Sequence, residues 1–157
     1  MGFALLGATK LSAAADAISL SIQAKRFLKI ELLLVASGVI DALLRFNSDS
    51  GNNYSLRLSA DGAADSTSTS QSSVDQSGSQ TTNMKVSIYI INKSDKEKPV
   101  LAFVTIANTP GAANAPSRRQ VIGKWANTAA QITSVSLTNG QSGSFDVGSQ
   151  MSIVGSD

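Results

Sequence analysis

The sequence has no cysteine and no histidine. Without cysteine there is no disulfide and no thiolate set of the kind that holds structural zinc. Without histidine the commonest general base is missing, and with it the usual catalytic triads and the imidazole ligands of zinc hydrolases. Aromatic residues make up 5% and charged residues 15% of the chain, so rings for stacking sugars are scarce. The formal net charge is only +2. The basic residues are scattered, as in Lys10, Arg45, Arg57, Lys85 and Lys124, rather than gathered on the basic face that nucleic acid requires. The short groups Lys25, Arg26, Lys29 and Lys93, Lys96, Lys98 read as solvated turns. No apolar run approaches the ~18–20 residues of a membrane-spanning helix, and the longest, Leu28 to Ala36, is interrupted by Lys29 and Glu31. The opening MGFALLGATKLSAAADA lacks a basic leader region and its apolar run stops at Lys10, unlike a secretory signal. Met1-Gly2 is followed at position 6 by leucine, where N-myristoylation takes Ser or Thr. The expectation is a soluble protein made in the cytoplasm.

What the chain does have is alternation. Ile18, Leu20 and Ile22 alternate with Ser19 and Ser21; Met84, Val86, Ile88 and Ile90 alternate with Lys85, Ser87 and Tyr89. A period of two is the mark of a half-buried strand. Phe3–Leu11, Ala17–Ile22, Phe27–Ala36, Val100–Ala107, Arg118–Ala126, Ile132–Thr138 and the pieces at Phe145 and Gln150–Val154 read as further strands. Leu-rich composition also permits a helix over Ala24–Ala36, but the alternating neighbours and Gly38 favour a strand. Two hairpins are expected. One joins Ile40–Phe46 to Tyr54–Leu58 through the polar link NSDSGNN, and the whole chain reads as strands added to that pair. The other joins Met84–Ile91 to Val100–Ala107 through the charged turn NKSDKEKP. Asp61–Asn83 has no lysine, arginine or aromatic and only Val74 as a sizeable apolar residue, so it reads as a surface loop, mobile or ordered by a partner. The predicted fold is all-β, an antiparallel β-sandwich of the jelly-roll kind with about eight to ten strands in one domain spanning 1–157.

Chemistry is hard to find. Most carboxylates, among them Asp49, Asp61, Asp65, Asp75, Asp95 and Asp146, fall on predicted turns, and a glycosidase would need two of them facing across a cleft. Asn47, Asp49 and Asn53 around Gly51 resemble a calcium loop, but Leu58 stands where the bidentate glutamate belongs; side chains closing their own turn explain the pattern more simply. Trp125, the lone tryptophan, reads first as a core or sheet-edge anchor and second as a sugar-stacking ring. A ligand-facing set of loop residues would be Asp49, Asn52, Asn53, Asn114 and Trp125. No catalytic residue, metal site or cofactor is expected.

Several stretches carry a family resemblance: LRFNSDSGNNYSLRL (Leu44–Leu58) with the Ser/Thr-rich run behind it, SDKEKP, NTPGAANAPSR leading into VIGKWANTAAQITSVSL, and the closing GSFDVGSQMSIVG. In order and spacing they cover nearly the whole chain. The chain resembles the small jelly-roll virion proteins of tailed bacteriophages and prophages. The resemblance implies a non-catalytic structural protein of the virion. The leading expectation is a capsid decoration (cement) protein that forms a trimer on the phage head; the alternative is a tail-fibre or baseplate module binding host-surface glycans. The partners implied are further copies of itself and the major capsid protein or other virion proteins, with no nucleic acid and no membrane. The contacts are expected from Phe3, Leu5 and Leu6 at the N-terminus and from Ser66, Thr67, Ser68 and Val74 in the long loop.

Overall fold

The computed structural model describes residues 2–157, and every regular element among them is a β-strand. In chain order the fourteen strands are β1 (Ala4–Lys10), β2 (Ala17–Ser21), β3 (Phe27–Leu34), β4 (Ala36–Ser37), β5 (Ala42–Phe46), β6 (Tyr54–Ala60), β7 (Ser66–Gln71), β8 (Val74–Asp75), β9 (Met84–Ile91), β10 (Lys98–Ile106), β11 (Ser117–Trp125), β12 (Ser134–Asn139), β13 (Ser144–Phe145) and β14 (Gln150–Ser156). They form an eight-stranded sheet in the order β1-β14-β3-β9-β10-β11-β6-β7, a four-stranded sheet β2-β12-β5-β8, and the small pair β13-β4. Every pairing is antiparallel. The chain is an antiparallel β-sandwich. Strands from its beginning pair with strands from its end: β1 with β14, β2 with β12 and β4 with β13, the folded-over arrangement of a jelly roll. The count exceeds ten because β4, β8 and β13 are two residues each and because β7 lies in the stretch expected to be loop.

The alternating runs explain the core. Leu28, Ile30 and Leu32 of β3 lie opposite Ile90, Ile88 and Val86 of β9. Those three in turn face Val100, Ala102 and Val104 of β10. All nine side chains point inward and are buried, and each fully buried aliphatic side chain contributes about 1.5–3 kcal/mol of transfer free energy. Ile18, Leu44, Phe46, Val135 and Leu137 close the core from the smaller sheet. The helical alternative for Ala24–Ala36 is thus overturned by β3.

The expected hairpin over Ile40–Leu58 does not form. β5 pairs with β12 and β8 in the small sheet, whereas β6 pairs with β11 and β7 in the large one. The link between them is a corner that carries the chain from one sheet to the other. Asn47 and Ser48 adopt left-handed φ of 51° and 57°, conformations that asparagine tolerates better than most residues. Asn47 Oδ1 accepts from the amides of Thr133 and Ser134, and its Nδ2 donates to the Gln131 carbonyl, which ties the corner to the run entering β12. The second expected hairpin is present: β9 pairs with β10 and β10 with β11.

The 61–83 stretch is also corrected. β7 extends the large sheet, β8 joins the small one, and Ile40 bridges Gln80. Val74, Gln76 and Ser77 are completely buried. Val74 fits because position 123 is glycine: a Cβ there would lie 2.9 Å from Val74 Cγ1. Polar groups order the rest through hydrogen bonds rather than apolar burial.

Candidate functional site

Cross-strand register assembles one surface from five strands. On the solvent side of the large sheet Lys29, Tyr89, Leu101, Ile122 and Arg57 stand side by side in one row. Phe27 lies opposite Ile91 in a flanking row, and Phe103 sits between Ser87 and Gln120 in another. Phe27, Tyr89, Ile91, Phe103 and Ile122 are 36–52% exposed. Together with Phe3 and Leu101 several of them line an open, apolar groove of about 460 Å³. A contiguous apolar patch on a folded surface is a candidate for contact with another surface or a ligand.

Ion pairs border it. Lys29 Nζ lies 2.9 Å from Glu31 and 5.6 Å from the centre of the Tyr89 ring; Lys124 pairs with Glu97 at 2.8 Å and Arg57 with Asp65 at 3.2 Å. Hydrogen bonding to Glu31 raises the Lys29 ammonium above its usual value. Partial burial pushes the Glu31 carboxyl up, but hydrogen bonds from Ser87 and Lys29 outweigh it and leave Glu31 below the ordinary range. The border charges are therefore neutralised in place. Among the described residues no group of three or more Asp, Glu, His or Cys side chains could hold a metal ion.

Of the residues anticipated as ligand-facing, Asp49, Asn53 and Trp125 are brought together, but to satisfy one another rather than to face a ligand. Trp125 is 1% exposed. Its ring stacks on Tyr54 with centroids 6.5 Å apart, tilts against Phe46 at 5.8 Å, and has the Lys98 ammonium 5.7 Å from its centroid. Its Nε1 donates to Asp49 Oδ2 at 2.7 Å, while Asp49 Oδ1 accepts from the Gly51 amide and Asn53 Nδ2. Burial raises the Asp49 carboxyl, but these donors hold it below the ordinary range. Asp49, Asn53 and Trp125 thus form an internal clasp, and the indole is closed to any sugar. Asn52 is exposed on the corner beside it. Asn114 lies at the other end of β11, roughly 25 Å away at the usual rise of a strand. There it borders an open polar hollow with Gln80, Thr82 and Asn108.

Of the anticipated contact residues, Phe3 and Leu5 are 54% and 67% exposed and Leu6 packs partly against the core. Ser66 and Thr67 are exposed on the edge strand β7 and Ser68 is half-buried. Val74 is wholly buried and unavailable to a partner. The docking face itself was missed at the level of sequence. Its signal was there: KVSIYII and KPVLAFVTI carry apolar residues on both phases of the alternation, although Tyr89, Ile91 and Phe103 on the outer phase are exposed. No protein-family model, curated protein or solved structure matches this chain.

Proposed function

We propose that this chain is a non-catalytic structural protein of a virus particle, a capsid decoration subunit that assembles with copies of itself, as a trimer, and packs on the phage head. The exposed apolar face of the large sheet carries this reading. Seating a neighbouring subunit there removes Tyr89, Leu101, Phe103 and Ile122 from water, and a closed ring of copies would satisfy every such face at once. The sheet edges are poorer candidates for assembly. β1 has a register break between Leu5 and Gly7, and β7 pairs irregularly between Tyr54 and Leu56; bulges of this sort twist an edge away from further pairing. Attachment through several subunits would let modest contacts sum to tight binding on the particle.

The test uses particles carrying the protein. The double variant Tyr89→Ser/Ile122→Ser should melt close to the wild type yet fall off purified particles during sedimentation. Full occupancy by this variant would overturn the reading. The competing reading, a tail-fibre or baseplate module for host glycans, draws on the hollow at Gln80, Thr82, Asn108 and Asn114, whose polar groups are amides and hydroxyls. Selective binding on a glycan array, abolished by Asn114→Ala, would favour it over decoration.

A further inference from the structure

We propose that Asp41, set beside Asp75 on Ser77, is a proton-tightened latch, which grips residues 72–82 against β5 while Asp41 keeps its proton and loosens as that proton is lost. The latch rests on its own contacts and is independent of the assembly role.

Asp41 directly precedes β5, and Asp75 lies in β8, where it is paired with Leu43. Asp75 Oδ1 accepts from the amides of Ser77 and Gly78 at 2.9 and 2.8 Å. Ser77 Oγ accepts from the Ala42 amide at 3.0 Å and stands 3.5 Å from Asp41 Oδ1. The backbone is stitched to β5 and to Ile40 shortly before it: Gln76 N donates to the Ala42 carbonyl at 2.9 Å and Gln80 N to the Ile40 carbonyl at 2.8 Å. Two carboxyl groups are thus placed in the middle of the seam that holds this segment to β5 and the residues before it.

The charged groups facing Asp41 are Asp75 from β8 and Arg119 from β11. The Arg119 guanidinium lies over Gly78, where a Cβ would come within 2.8 Å of Nη1. Arg45 of β5 is occupied elsewhere, its Nε donating to the Ser72 carbonyl. Asn139, which accepts from the Asp41 amide, is neutral. Burial, then the neighbouring Asp75 charge and the hydrogen bond between the two carboxyls, push Asp41 up to about 7, against a smaller opposing pull from Ser77 and Arg119.

The sign follows. In the closed form Asp41 keeps its proton up to about pH 7. When the segment lifts, Asp41 returns to water and ionises near the ordinary 3.8. Between these limits opening releases a proton, so it becomes easier by up to about tenfold per pH unit and levels off above the upper limit.

Hydrogen–deuterium exchange of the intact protein between pH 5 and 8.5 tests this, with the intrinsic chemical rate divided out. In the wild type the protection of the Gln76 and Gln80 amides should fall several-fold to tenfold per unit up to about pH 7 and then flatten. Asp41→Asn, a permanent mimic of the protonated side chain, should hold protection constant across the range. Asp75→Asn keeps an oxygen for the Ser77 and Gly78 amides but removes the charge beside Asp41, so the plateau should begin at lower pH, and a failure of one variant to fold leaves the other to decide. Arg119→Gln should move the plateau to higher pH, a shift that a purely structural arginine would not produce. A pH-independent wild type, or a wild-type slope persisting in both Asn variants, would overturn the latch.

Discussion

At the scale of single residues the aromatic clasp is the most exacting part of the molecule. The Tyr54 hydroxyl accepts from the Phe46 amide at 3.0 Å and reaches the Asp49 carbonyl at 3.1 Å. Its phenol is pushed up to about 12, chiefly by burial. Tyr54→Phe leaves the buried Phe46 amide without an acceptor and is expected to cost about 1–3 kcal/mol in chemical denaturation. Asp49→Ala strands the Trp125 N–H and should cost a similar ~1–3 kcal/mol, with Asp49→Asn falling between it and the wild type. Gly143 is fixed by space: a Cβ there would sit 2.5 Å from the Ser37 carbonyl oxygen and 2.6 Å from that of Val39. Backbone cannot yield as a side chain can, so Gly143→Ala should destabilise by about 1–3 kcal/mol. A loop of Asx residues closing its own turn was legible in NSDSGNN, and so was the anchor role of Trp125. That Asp49 serves the indole was not, because 76 positions separate them.

At the scale of elements, β3, β9 and β10 were legible because each keeps one apolar phase through eight or nine residues. The β5–β6 hairpin misled because local sequence reports strand character but not partner: β5 finds β12 some 90 residues along. STSTSQ has no apolar phase, so β7 gave no signal although its backbone completes a ladder with β6. The 61–83 stretch consequently behaves as two parts. Deleting Asp65–Gln80 would take Val74, Ser77 and the Ile40–Gln80 bridge out of the sandwich, and its melting temperature should fall sharply. Val74→Ala alone is expected to cost about 2 kcal/mol. The Asp41–Asp75 pair also gives this region its own pH dependence. A raised carboxyl stabilises the folded state below about pH 4, and that contribution is lost as the pH climbs through about 7. After allowance for solvent screening of a half-buried group it amounts to about 2 kcal/mol. Asp49, Asp61 and Glu31 are lowered and work in the opposite sense, their contributions fading below about pH 4. Thermal unfolding should therefore be most resistant near about pH 4 to 4.5, and Asp41→Asn should abolish the decline toward neutrality.

At the scale of the whole molecule, the sandwich has one sheet twice as wide as the other. The surplus strands are needed for neither edge protection nor core closure alone; they carry a broad outer face with Phe27, Tyr89, Ile91, Phe103 and Ile122 turned to water. Ion pairs border that face without covering its apolar side chains. Sedimentation velocity across a hundredfold range of concentration, on the wild type and the Tyr89→Ser/Ile122→Ser variant together, tests this account most directly. A discrete trimer is expected for the wild type and a monomer of unchanged melting temperature for the variant. A wild type that stays monomeric throughout, or a variant that still forms trimers, would contradict it.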